Sequence, residues 1–99
     1  MIDNVKNIIK ERIQLHDEDS INIEKCWNKL IDILSQNSAQ TISILEQLDE
    51  EEILYVSEVF EEIAYNLQSE EYIECLKQLV EKYPNIPISD SVETAESFL

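Results

Sequence analysis

Few groups in this chain could do chemistry, and their spacing argues against most of it. There is one histidine, His16, and there are two cysteines, Cys26 and Cys75. A helical carboxylate–histidine metal site wants a Glu three residues before the His, and Ile13 stands there. His16 reads instead as a cation set against the negative end of the first helix. The acidic run from Asp17 has the outline of a calcium loop, but Asn22 replaces its sixth-position Gly and Asn28 its twelfth-position Glu. Cys26 falls on an apolar stripe beside Trp27 with no base near it in sequence, and Cys75 lies at the edge of another stripe. Both read as reduced apolar fillers, with one long Cys26–Cys75 disulfide as the alternative, and not as nucleophiles; Trp27 reads as a core anchor. Glycine is absent. That removes phosphate-cradling loops, dinucleotide fingerprints and nucleophile elbows together, because each needs backbone that only Gly tolerates. The residues assign no catalytic group, no metal and no cofactor.

What remains is carboxylate. Eleven acids crowd into Glu46–Glu74, while no Lys or Arg occurs between Lys29 and Lys77. Over the whole chain, 22 acids against 7 bases give a net charge of −15. That balance argues against binding nucleic acid or an anionic membrane, since both need Lys and Arg to neutralise phosphate. A positively charged protein is the natural partner. With 43% hydrophobic residues in 99, the chain can bury an ordinary core as one domain and is no disordered acidic tail. No apolar run is long enough to span a membrane, and the first residues lack a signal-peptide core, so the expected compartment is the cytoplasm.

The elements that must carry these acids are helical, because every strong segment repeats near 3.6 and none alternates with period 2. The first helix is predicted over Asp3–Leu15, with Val5, Ile8, Ile9 and Ile13 inward. A second starts from Asn22 as N-cap and buries Ile23, Cys26, Trp27, Leu30, Ile31 and Leu34. A short third covers Thr41–Leu48. Asp49 with Glu52 forms a capping box that opens a fourth, running unbroken to about Leu67. Ser69 caps a fifth, with Ile73, Leu76, Val80 and Tyr83 inward, ending before Pro84. Tyr83–Pro87 is expected to be extended. Asp90 with Glu93 repeats the box and starts a last helix through Val92, Ala95 and Phe98. The predicted fold is all-α, a compact antiparallel bundle or stack of about six short helices.

On the fourth helix, at about 100° per residue, Val56, Phe60, Ile63 and Leu67 make the apolar stripe. Glu51, Leu54, Glu58, Glu61, Glu62 and Tyr65 lie opposite. A solvated face is the ordinary reading of such a run. Two features favour a binding face. No Lys stands at i+4 from any of these acids, so their repulsion has no local relief. Leu54 and Tyr65 also stand among the carboxylates as an apolar and an aromatic anchor would. Glu50, Glu70, Glu71 and Glu74 extend the negative field. The predicted contact residues are Glu51, Leu54, Tyr55, Glu58, Glu61, Glu62, Tyr65, Glu70 and Glu71.

The block SEVFEEIAYNLQSEEYIECLKQLVEKYP, Ser57–Pro84, resembles the central motif of small helical immunity proteins from bacterial contact-dependent growth inhibition systems. The resemblance rests on the SEVFEEIAYNLQS junction, the YIECLKQL face and the terminal KYP, about a quarter to a third of the chain. It implies an all-helical cytoplasmic protein that binds one toxin domain delivered by a neighbouring cell, in some relatives a ribonuclease, and covers its active site. A ribonuclease must display Lys and Arg to hold phosphate, so a carboxylate field would complement it. The alternative is an acidic adaptor, or a nucleic-acid mimic, that regulates a basic protein.

Overall fold

A computed structural model describes residues 2–99 and contains only helices and short connections among them. The order is α1 (Ile2–Gln14), α2 (Ser20–Leu34), α3 (Ser38–Glu46), α4 (Glu50–Val56), a 3₁₀ turn (Ser57–Val59), α5 (Phe60–Leu67), α6 (Glu70–Lys82) and α7 (Ser89–Glu96). The all-α expectation holds. α1 packs on α2 and α4, α3 lies against α6, and α7 sits across α5 and α6. One continuous apolar cluster draws on all seven helices, with Phe60, Ile63, Tyr72 and Leu76 fully buried near its middle. The radius of gyration, 12.4 Å, is close to the ~13 Å of a folded 100-residue chain.

Polar caps set the helix starts. Asp49 accepts from Glu52 N while the Glu52 carboxylate accepts from Asp49 N, so the capping box read from the sequence forms. Ser69 accepts from Tyr72 N and caps α6 as expected. Two other caps fall elsewhere. Asp19, not Asn22, caps α2, binding both the Asn22 backbone N–H and its carboxamide. α7 begins at Ser89 behind Ile88, and the Asp90–Glu93 box does not form. α3 also begins earlier than predicted, with Asn37 as its cap. Tyr83–Pro87 is a turn and not extended, since Ile86 N–H reaches back to Tyr83 C=O. That turn drops Ile88 fully into the core.

The predicted single fourth helix is interrupted. The Ser57 hydroxyl donates to Leu54 C=O, and Val59 leaves helical backbone at φ −121°, ψ 12°. A serine that bonds back to its own preceding turn competes with the backbone ladder and bends the helix. α4 and α5 therefore present separate faces, and one helical wheel drawn through both misplaces residues. Leu54 is not a surface anchor among the acids but packs half-buried against the core. At the far end, Gln68 terminates α5 in left-handed backbone (φ 49°). Gly usually takes this role, and this chain has none.

Candidate functional site

The acids sort into three settings once the helices are packed. Those nearest α1 are already paired. Lys6 Nζ lies 3.3 Å from Glu52 Oε1. Arg12 makes a fork onto Glu58, with Nε to Oε1 at 2.8 Å and Nη2 to Oε2 at 2.7 Å. Trp27 Nε1 donates to the same Oε1 at 3.1 Å, and the guanidinium sits 5.1 Å from the centre of the Tyr55 ring. The relief that the sequence could not supply at i+4 comes across the fold from α1. Only 8% of the Arg12 side chain is exposed, against 29% of Glu58. The Glu58 hydrogen bonds, chiefly, raise the Arg12 pKa above its ordinary value and outweigh desolvation. Bidentate Arg–carboxylate contacts of this kind are among the strong ones. Glu58 and Tyr55 thus belong to an internal arginine cradle. Trp27, half-buried at the core's edge, is its third wall and not a central anchor.

Glu51 also faces this side, where Asp49, Glu51 and Glu52 border a groove shared with Lys6 and Lys10 of α1. Glu71 is tied to its own helix start. Ser69 Oγ donates to Glu71 Oε2 at 3.2 Å, placing the carboxylate at the positive end of α6. Glu70 lines a separate groove with Ile73, Glu74, Lys77, Glu96 and Leu99, and Lys77 there is paired with Glu96 at 2.6 Å.

Glu61, Glu62 and Tyr65 are brought together. They share an open groove of about 360 Å³ with Ile31 of α2, Asn66 and Phe98, and no Lys or Arg lines it. Neither Glu61 nor Glu62 forms an ion pair among the described residues. Tyr65 is 66% exposed and Phe98 41%. Their rings meet edge to face, 6.2 Å between centroids at 89°. Polar ties fix residues of the groove's lining. Asn66 Nδ2 donates to Ser35 Oγ at 3.0 Å, locking α5 to the end of α2. Gln68 Nε2 donates to Tyr65 C=O at 3.0 Å and Phe98 C=O at 2.8 Å. Phe98 was expected inward on the last helix; it lies past α7 and turns out to solvent beside Tyr65. Ile31, Asn66 and Phe98 are the groove residues that sequence reasoning missed. The one signal of Ile31 and Phe98 was apolar character, and that pointed to the core.

The remaining reactive groups are quiet. Burial pushes the Cys75 thiol up to about 11, with Glu46 adding to it, and burial likewise raises Cys26. Both are buried, unbonded thiols. His16 Nδ1 accepts the Glu18 backbone N–H at 3.1 Å, and the ring closes a turn just past the end of α1. No three His, Cys, Asp or Glu side chains among the described residues are grouped to hold a metal, and no described helix is long and apolar enough to cross a membrane. No protein-family model, curated protein or solved structure matches the chain.

Proposed function

We propose that this chain is a binding protein that captures a basic partner on the Glu61–Glu62–Tyr65–Phe98 groove. The partner is the toxin domain, of ribonuclease type, of a contact-dependent growth inhibition system. The chain would then be the cytoplasmic immunity protein, acting as a one-to-one plug. One observation carries the reading: an exposed aromatic pair stands among carboxylates that form no ion pair among the described residues. Aromatic anchors within a charged rim are typical of protein-docking surfaces. The net charge of −15 supports a basic partner, and the resemblance of Ser57–Pro84 to immunity proteins supplies its class.

The inhibitor does no chemistry in this reading. Its long-range field speeds encounter, up to about 10⁸–10⁹ M⁻¹s⁻¹ at low salt, and the docked complex covers the cleft that would hold RNA. Nanomolar affinity, about −12 kcal/mol, needs more than screened rim charges. The aromatic pair and one desolvated carboxylate–cation contact would have to supply the difference.

The test is reconstitution with the toxin domain encoded beside the chain. RNA cleavage should stop at one equivalent, and complex formation should slow steeply as salt rises. Undiminished cleavage at saturating chain would sink the reading. So would a complex in which Tyr65 and Phe98 stay in solvent.

A further inference from the structure

The fold holds one arginine in a cradle whose residue types recur further along the chain, the carboxylates about one turn on and the tyrosine about three, with no Lys or Arg in the lining. In the filled cradle Glu58 takes both edges of the Arg12 fork, Tyr55 lies under the guanidinium, and Trp27 closes the side. In the open groove Glu61 and Glu62 supply carboxylates, Tyr65 supplies an aromatic face, and Ile31 with Phe98 supply an apolar floor. The Tyr65 and Phe98 rings meet edge to face, so a face of Tyr65 is left for a ligand, consistent with its 66% exposure.

We infer that this groove is an arginine receptor, taking one arginine side chain of the basic partner. The guanidinium would bond to Glu61 and Glu62 against Tyr65, and the methylene stem would lie on Ile31 and Phe98. This rests on the reading of the chain as a binder of a basic protein and narrows it to one side chain. Two features select arginine over lysine. A planar fork matches carboxylates that a point charge engages singly. The guanidinium stacks on aromatic faces and is more weakly hydrated than an ammonium. The apolar floor would take the methylene stem of either residue. The volume, about 360 Å³, is at the small end of ligand sites and suits a side chain better than a folded element.

The probes are acetylated, amidated hexa-arginine and hexa-lysine peptides, titrated into the intact chain at low salt and followed by backbone amide shifts. Hexa-arginine should bind more tightly by roughly two- to fivefold, the weight of one exposed cation–π contact. Its shifts should gather at Ile31, Glu61, Glu62, Tyr65 and Phe98. Tyr65→Leu, at an exposed position that the core does not need, should weaken hexa-arginine more than hexa-lysine and so bring the two peptides to parity. Equal affinities for the unaltered chain, or shifts spread evenly over Glu46, Glu74 and the other acids, would overturn the receptor. Failure of the function reads differently. An arginine preference with an unbound toxin domain removes the immunity role and leaves the receptor standing. An inhibited toxin with no arginine preference does the reverse.

Discussion

Tyr55–Glu58 and Glu61–Glu62–Tyr65 are built from the same two residue types on consecutive stretches of chain, yet they serve opposite ends. The first is filled from within: Arg12 arrives from α1 and is almost entirely covered. The second has no cation in its lining and keeps its tyrosine in solvent. The difference lies in the break at Ser57–Val59. It turns Glu58 toward α1 and α2 and sets the acids of α5 on a different heading. A like-charged stretch is thus divided into a part paired within the fold and a part that forms no ion pair among the described residues.

The sharpest way to break that comparison is to reverse one charge in each cradle. Glu58→Lys sets a cation against a covered Arg12 and removes the acceptor of Trp27. Destabilisation of about 3–5 kcal/mol is expected, the range for stripping a buried charge of its partner. Glu62→Lys should stay within about 0.5 kcal/mol, as exposed substitutions do. Urea unfolding of the two variants decides it, and equal midpoints would mean that the filled cradle contributes nothing to stability. A Glu58,Glu62 double reversal therefore cannot serve as a clean interface test, although helical spacing alone recommends the pair.

High pH sharpens the contrast from the other side. Glu58 holds the Arg12 pKa above its ordinary value, so the filled cradle keeps its charge through the alkaline range. Cys75 does not escape. Its folded pKa of about 11 lies above the ordinary 9.0 because burial disfavours the thiolate. A raised pKa means that the folded chain holds the proton more tightly. The contribution is whole below pH 9 and is lost as pH climbs from 9 to 11, roughly 2–3 kcal/mol in all. Tyr72 and Cys26, also raised by burial, act in the same direction. Cys75→Val should move the alkaline unfolding midpoint upward; an unmoved midpoint would show that this thiol does not govern it.

Trp27 tests whether the third wall matters. A fully buried Trp→Ala costs about 3–5 kcal/mol; with Trp27 only half-buried, roughly 2 is expected. If Trp27 matters mainly as a donor to Glu58, Trp27→Phe should recover the packing but not the bond, and its melting temperature should fall between those of the unaltered chain and Trp27→Ala. Full recovery in Trp27→Phe would reduce the indole to filler.

How far the sequence could lead is clearest in these same residues. Helices were legible because their apolar period survives in every segment, and the caps Asp49 and Ser69 were legible because cap and partner lie three residues apart. Glu61, Glu62 and Tyr65 were legible as one face for the same reason. Arg12 was not. It occupies a core-facing position of α1, but its partner Glu58 is 46 residues away, and a lone Arg beside Ile13 reads as the edge of a stripe. The break was hidden because the hydroxyl bond of Ser57 to Leu54 leaves the apolar pattern on either side intact. Phe98 and Ile31 were hidden because an apolar residue on a groove wall carries the same local signature as one in the core.

The smallest effect bears most directly on why the open groove exists. Glu61→Gln with Glu62→Gln removes two charges that form no ion pair among the described residues, so stability should change by no more than about 0.5 kcal/mol, the net change being upward where relief of repulsion exceeds the loss of two acids from the first turn of α5. The reason is self-repulsion: at a net charge of −15, each removed carboxylate relieves the compact state a little. The gain should fade in high salt, where the Debye length shrinks to about 3 Å at 1 M. Melting curves of the double variant at low and high salt would show this. A chain that is more stable without these two acids keeps them at a cost, which is what a surface kept for a cationic partner requires. Marked destabilisation would instead give Glu61 and Glu62 a structural duty, and the division between a filled and an open cradle would collapse.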